Sequence, residues 1–419
     1  MQTQATLQTP ICCRSRQPVC RAAAGPVVTA AAAAPSVLLP PETLRSARLL
    51  YATAGAPAHT YPGHKECAER VPAILTALEH SGMTPYERPE ELVQLEGFSA
   101  APLEAVLAVH AGKYAEALEK LSRRAAESGQ PQFVEQETTY LTGSTYSDAL
   151  LATGAALALV DNVVAASRQR EAEAANSSSS GGSSGSSLAA FAICRPPGHH
   201  CTPSMPMGFC FLGNAAIAAR HAQRAHGLQR VLIYDFDVHH GNGTQDAFED
   251  DPDVLFISSH QSGAYPMTGK VGEVGTGAGE GATINIPLPG DSGHNAALEV
   301  FETIVAPAAQ RFKPDIILVS AGFDAHWRDP LAGLQFRTST YNALSASLKQ
   351  LADQLCGGRI VFLLEGGYDL KALGDSVVNT FLGVLGEGPV DPFNPDLLRD
   401  EPTDKVQHVL QEVRRIHGL

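Results

Sequence analysis

Two carboxylates and an imidazole alternate at the end of an apolar run in Val231-Leu-Ile-Tyr-Asp235-Phe-Asp237-Val-His239-His240-Gly-Asn242-Gly. In an extended segment, side chains two apart point the same way, so Asp237 and His239 are placed to grip one ion. Functional groups of open parallel sheets collect beyond the carboxyl ends of the strands. A third ligand is therefore expected at another strand end, and Asp315-Ile-Ile-Leu-Val-Ser-Ala-Gly-Phe-Asp324 supplies it. Asp237, His239 and Asp324 make a three-ligand set. Catalytic zinc commonly has three protein ligands and keeps a position open, whereas structural zinc is closed by four. The oxygen-rich set also suits iron(II), manganese or cobalt, with zinc the first choice. Taken alone, a D-x-H at a strand end is more often a loop cap than a metal site.

Three further segments carry the chemistry such a metal would need. Phe191-Ala-Ile-Cys-Arg-Pro-Pro-Gly-His199-His200 ends an apolar strand in two adjacent imidazoles, whose ordinary pKa near ~6.5 suits proton transfer at neutral pH. Ile360-Val-Phe-Leu-Leu-Glu365-Gly-Gly-Tyr368 turns on two glycines and sets a phenol at the site's edge, placed to donate to a developing oxyanion. Gly208-Phe209-Cys210-Phe211 adds aromatics downstream of the histidines; core packing is the default reading for it.

Together these segments resemble the zinc-dependent histone deacetylase family, of the class II type and its plant or algal organellar branch, within the arginase/deacetylase superfamily. The resemblance runs from about Tyr51 to Tyr368 and beyond. It rests on R-P-P-G-H-H at 195–200, G-F-C-F-L-G-N at 208–214, D-F-D-V-H-H-G-N-G-T at 235–244, A-G-F-D-A at 321–325, D-P-L at 329–331 and L-E-G-G-Y at 364–368. An earlier stretch, His59-Thr-Tyr-Pro-Gly-His64-Lys-Glu66-Cys-Ala-Glu69-Arg70, looks like the family's first rim loop.

The resemblance implies a zinc-dependent deacetylase that hydrolyses the acetamide of acetyl-lysine in proteins. Asp237, His239 and Asp324 would hold the zinc. His200 would act as general base and then acid, His199 would give electrostatic support, and Asp235 would orient His199. Asn242 would partner His200 where class I members have an aspartate, leaving that imidazole less basic. Tyr368 would complete the oxyanion site. Phe209 and Tyr265 would wall the acyl-lysine tunnel, Tyr265 replacing the family's usual second phenylalanine. The Gly208 carbonyl would accept the substrate amide N–H, and Arg70 would sit at the acetate-exit channel. Asp235, Asp237, His239, Ser258 and Ser259 would supply oxygens to a monovalent cation, potassium in the first instance.

Several rival readings make distinct demands on the same residues. A two-manganese arginase would extend the motif to D-x-H-x-D, but Gly241 stands where the last carboxylate belongs; one metal is expected. A small-molecule deacetylase of acetylated polyamines or arylalkylamines would use the same tunnel with a different rim. Leu331, at the rim position after Asp329-Pro330, argues against recognition of a polyamine cation. A non-catalytic acetyl-lysine binding scaffold would have no use for Tyr368 and both histidines.

The 419 residues are 44% hydrophobic with a formal net charge of −14. That charge argues against a broad nucleic-acid surface, because phosphate binding is driven by Lys and Arg. No uninterrupted apolar run reaches the ~18–20 residues of a membrane span, so no membrane partner is expected. Acetylated protein or a small acetylated amine is the expected partner, and oligomeric state is left open. Residues 1–41 hold no Asp, Glu or Lys, three arginines (Arg14, Arg16, Arg21) and the run Ala30–Ala34, which reads as an organelle transit peptide. Chloroplast is preferred to mitochondrion. Cysteines beyond it lack a C-x-x-C pair, so neither a structural zinc module nor a disulfide framework is indicated. Cys201, beside His200, is a candidate for oxidation. The Ser/Gly-rich stretch 176–187 reads as a flexible surface insertion within a single catalytic domain at 46–419.

Strands are expected near 48–52, 189–194, 231–236, 254–259, 283–287, 315–320 and 360–365. Helices are expected around 66–80, 101–125, 147–170, 213–226, 296–311, 340–356 and 402–416. Alternating strands and helices imply an α/β fold with an open, mostly parallel sheet covered by helices on both faces, as in arginases and deacetylases.

Overall fold

A computed structural model describes residues 37–135, 138–176 and 187–419. Ten strands are present among them: β1 Leu49–Ala54, β2 Leu92–Leu95, β3 Gln132–Val134, β4 Thr139–Leu141, β5 Ala189–Cys194, β6 Val231–Asp235, β7 Val254–Gln261, β8 Thr283–Leu288, β9 Ile316–Ala321 and β10 Ile360–Leu364. Eight form one sheet in the order β2-β1-β5-β10-β9-β6-β7-β8, and every neighbouring pair is parallel. β3 and β4 form a separate antiparallel pair. Although β5 and β6 follow one another along the chain, β10 and β9 lie between them in the sheet. Connections therefore diverge at the sheet centre and leave a crevice beyond the carboxyl ends. All the loops with candidate ligands and proton carriers leave those four central strands.

The helices are α1 Pro41–Ser46, α2 Arg70–His80, α3 Leu103–Val106, α4 Gly112–Ser128, α5 Thr145–Asn176, α6 Asn214–His226, α7 Asn242–Phe248, α8 His294–Val300, α9 Ala306–Phe312, α10 Thr338–Cys356, α11 Leu370–Leu385 and α12 Thr403–His417. Alternation along each strand sends side chains to two cores. From β1, Leu49 and Tyr51 join Ile74 of α2, Leu348 of α10, Phe381 of α11 and Val413 of α12. Leu50 and Ala52 join Leu118 of α4, Leu159 and Val163 of α5 and Ile217 of α6. Burial on both faces explains why these strands read as continuous apolar runs.

Seven expected strands are present, with small shifts in their ends. The edge strand β2 and the β3–β4 pair were not anticipated; each is only three or four residues long. The helix expected over 101–125 is broken, because Ala111 is extended and His110 turns inward, bonding Thr202 O (3.2 Å) and Gly213 N (2.9 Å). The one expected over 296–311 contains a π turn at Phe301–Val305. Pro307 follows it, and a proline lacks the N–H that a regular α-helix would require there. α11 was missed altogether.

By length and composition α5 is apolar enough to cross a membrane, but 83% of its apolar window is buried inside the protein; it is a core helix. The presequence expected at 1–41 lies outside the described residues up to position 36. Its last residues instead join the domain: Leu39 N donates to Asn162 Oδ1 (2.9 Å) and Asn162 Nδ2 to Val37 O (2.8 Å). Pro41 already opens α1. The Ser/Gly insertion lies outside the described residues at 177–186, flanked by helical Asn176 and buried Ser187.

Candidate active site

Register brings the expected ligands together. β6 and β9 pair with Asp235 opposite Ser320, so the loops holding Asp237 and Asp324 leave the sheet side by side. His239 Nδ1 lies 3.1 Å from Asp237 Oδ1 and 3.1 Å from Asp324 Oδ2, and one donor atom from each residue falls within 4.8 Å of the others. Both carboxylates are buried. Gly366 N and His239 N donate to Asp237 at 2.8 and 2.9 Å, and Val238 N donates to Asp324 Oδ1 at 3.0 Å. Two glycines make room for them. A Cβ at Gly322 would meet Asp237 Oδ2 at 1.9 Å, and one at Gly366 would meet Asp324 Oδ2 at 2.1 Å.

The electrostatics call for positive charge at this point. Burial favours neutral His239, yet hydrogen bonds to Asp237 and Asp324 outweigh it and carry the imidazole to about 10. Burial and the Asp237 charge push Asp324 up. A buried pair of carboxylates with a converging imidazole fits a divalent ion in donor type, number and position.

Both adjacent histidines face this cluster. His199 Nδ1 meets Asp235 Oδ2 at 3.0 Å, and His200 Nδ1 meets Asn242 Oδ1 at 2.8 Å. Their ring centroids are 4.0 Å apart, and His200 is 5.9 Å from His239. The environment separates the two imidazoles. Burial opposes charge on His199, but Asp237 and Asp235 more than offset it and raise its pKa well above the ordinary value. Burial, with the His199 and His239 charges, lowers His200 well below it.

Aromatic rings pack around this floor. Tyr265 packs edge-on to His200 at 4.9 Å and Phe209 edge-on to Tyr368 at 5.9 Å. Gly208 has φ of +56°, and a Cβ there would lie 2.2 Å from His200 Cδ2; the loop can hug the imidazole only without a side chain. Burial and the Asp324 charge raise the Tyr368 phenol well above its ordinary value, keeping it a proton donor. Leu331 is partly exposed on the loop that Asp329 organises. Asp235 lies opposite Ser258 in the β6–β7 register, next to Ser259. Ser259 Oγ is 3.1 Å from the Tyr234 hydroxyl.

Arg70 is fully buried beneath Tyr368, 5.1 Å from the ring centroid. Its Nε donates to Gly367 O (2.7 Å) and Nη2 to Glu365 O (2.6 Å), clamping the Gly-Gly turn.

Four carboxylates with supporting roles escaped the sequence reading. Glu365 accepts Gly198 N (2.7 Å) and His199 N (3.1 Å), fixing the histidine loop. An acid ending an apolar strand was its available signal. Asp329 accepts Tyr368 N at 2.6 Å. Glu135 accepts Gly208 N at 2.8 Å and the Tyr265 hydroxyl, tying their two loops together. Glu66 joins Arg195 and Arg70 below the site. No local spacing announced Asp329 or Glu135; for Glu66 the i,i+4 interval to Arg70 was the available signal. Cys201 departs from its expected chemistry: it is buried, and burial pushes its thiol up to about 12, the reverse of a reactive thiolate.

Comparison with known proteins agrees with the geometry. The Histone deacetylase domain family matches residues 64–384. Histone deacetylase 14, chloroplastic, of Arabidopsis thaliana is 50% identical over 380 residues, covering 90% of this chain and 86% of that protein. Histone deacetylase 10, chloroplastic, of Oryza sativa subsp. japonica is 48% identical over 383 residues, covering 91% and 83%. Among solved structures, the HDA15 HD domain superposes with a TM-score of 0.74 at 29% identity, covering 89% of this chain and 94% of that one. By this match and the motifs that carry it, the chain belongs to the histone deacetylase family and is a hydrolase.

Proposed function

We propose that this protein removes acetyl groups from lysine side chains of chloroplast proteins, with one zinc ion held by Asp237, His239 and Asp324. The observation that carries the reading is the convergence of three buried donors and two imidazoles beside the Tyr265 ring. Zinc bound there supplies Lewis acidity toward the acetyl carbonyl and toward water.

The protein's own groups divide the remaining work. Phe209 and Tyr265 enclose the extended lysine chain and exclude bulk water, while the Gly208 carbonyl accepts the substrate N–H. Neutral His200, oriented by Asn242, takes a proton from the attacking water through Nε2. It then returns that proton to the departing amine. Cationic His199, held by Asp235, stabilises the negative charge that builds between them. The Tyr368 hydroxyl donates to the developing oxyanion. Arg70 borders the route by which acetate leaves. Oxygens of Asp235, Asp237, His239, Ser258 and Ser259 would hold a monovalent cation, potassium in the first instance.

Deacetylation of small acetylated arylalkylamines is a second reading, favoured by the apolar side chains exposed on the tunnel loops. Met205 and Met267 are 50% and 77% exposed, while the nearby acid Glu135 is engaged by Gly208 N and Tyr265. Such a rim offers little to a polyamine cation. Comparing kcat/KM for acetyl-lysine peptides, acetylated arylalkylamines and acetylated polyamines tests both readings, with Tyr368→Phe as control. Preference for peptides is expected. Binding of acetylated peptide without acetate release by the zinc-loaded protein would leave only a scaffold.

A further inference from the structure

On the α5–α6 face, away from the catalytic loops, lies a second cluster of metal-ligating side chains. Asp161 of α5 faces His221 and His226 of α6, with Oδ1 lying 2.7 Å from His221 Nε2 and 2.5 Å from His226 Nε2. The rings are nearly perpendicular, at 85°, with centroids 5.4 Å apart. A five-residue separation turns roughly 140° around a helix, so the imidazoles approach the carboxylate from two sides. The backbone is fixed around them: Arg168 Nη2 donates to His226 O at 2.7 Å, and Gly227 closes the helix in a left-handed cap.

We propose that Asp161, His221 and His226 form a second site for a divalent transition metal of the zinc class, clamping α5 to α6. Satisfying a carboxylate by hydrogen bonding would not require two imidazoles to aim the same ring nitrogen at one oxygen. Two imidazoles and a carboxylate are a donor set that zinc accepts, with water completing the tetrahedron. Metal–ligand bonds of roughly 2.0–2.1 Å need donor atoms roughly 3.3 Å apart, so each carboxylate–imidazole distance has to open by less than about 1 Å. The three ligand atoms already fall within 4.8 Å of one another. Asp161 is nearly buried, whereas the imidazoles keep 21% and 15% exposure, leaving a solvent route to the ion. On binding, the proton on each Nε2 moves through solvent to Nδ1, freeing the Nε2 lone pair for the metal.

The site is separate from the catalytic one. Asn214 opens α6 just after the tunnel loop, and His226 closes it about 18 Å further along the axis. Untagged full-length protein dialysed against about 10 µM free zinc should therefore hold two zinc ions per chain by elemental analysis. His226→Gln should hold one and keep turnover within twofold of wild type. One zinc in the wild type, or two in a folded His226→Gln protein, overturns the proposal. X-ray absorption by the second equivalent in wild-type protein gives a test free of any folding defect: two imidazoles in its shell support the site, whereas a sulfur or all-oxygen shell refutes it.

Discussion

Glu66→Gln tests whether the buried ion network beneath the active site stabilises the fold through charge. Glu66 is fully buried and accepts Arg195 Nη2 at 2.7 Å, the Arg195 Nε, Arg70 Nη1 at 3.3 Å and the Tyr140 hydroxyl at 3.3 Å. Burial alone would raise its pKa. The Arg195 charge and hydrogen bonds outweigh that and lower it from 4.5 to about 2, a displacement equivalent to roughly 3 kcal/mol. Breaking a buried ion pair from one side independently costs about 3–5 kcal/mol. The amide should thus lose roughly 3 kcal/mol, seen in urea unfolding at pH 7 as a lower midpoint with unchanged slope. The sign of the pH dependence follows from the depressed folded value. Glu66 stabilises fully above about 4.5, and its contribution is lost as pH falls towards about 2. Glu66→Gln should therefore flatten the stability curve between those values. A loss below about 1 kcal/mol, or an acid limb as steep as wild type, would refute the reasoning.

Three further substitutions probe the chemistry. Tyr368→Phe removes the hydroxyl while Phe209 and Arg70 still hold the ring; kcat should fall about 10²–10³-fold with KM little changed, measured by acetate release. Gly208→Ala drives a Cβ to 2.2 Å from His200 Cδ2 at a φ of +56°. Turnover should be lost while the circular dichroism and thermal transition remain close to wild type, because the strain falls on a loop. Asn242→Asp places a carboxylate against His200 Nδ1, now 2.8 Å from the amide oxygen. An anion favours imidazolium, so the acidic limb of kcat/KM should move upward by about one pH unit.

The central strands were legible because burial on both faces leaves runs such as Ile360–Leu364 with no polar interruption. α11 was hidden by the glycines that let it pack. A Cβ at Gly374 would lie 2.8 Å from the Ala77 Cβ, and one at Gly383 would lie 2.3 Å from Asn342 O. Glycine weakens a helix taken alone, so the residues that seat α11 against α2 and α10 also erased its local signature. Its start was signalled by Asp369, whose side chain accepts Ala372 N at 2.9 Å, but a lone cap does not reveal sixteen helical residues.

The same division separates the two tiers of the candidate site. Asp237, His239, Asp324 and the histidine pair announced themselves because they stand just beyond the ends of three apolar strands, β6, β9 and β5. Glu66, Glu135 and Asp329 act across the chain: Glu66 on Arg195 from 129 residues away, Glu135 on Gly208 from 73, and Asp329 on Tyr368 from 39. No window of sequence contains both ends of those contacts. They nevertheless determine whether the legible residues meet. Glu365 and Asp329 hold the main chain at His199 and Tyr368, and Arg70 grips the turn between Glu365 and Tyr368 from below. On the proposed reading the motif residues supply the reactive atoms, while these buried polar side chains set their separations. Removing a supporting side chain should alter kcat through misplacement with the proposed zinc donors still intact, whereas removing Asp237 or Asp324 should abolish the ion's site itself.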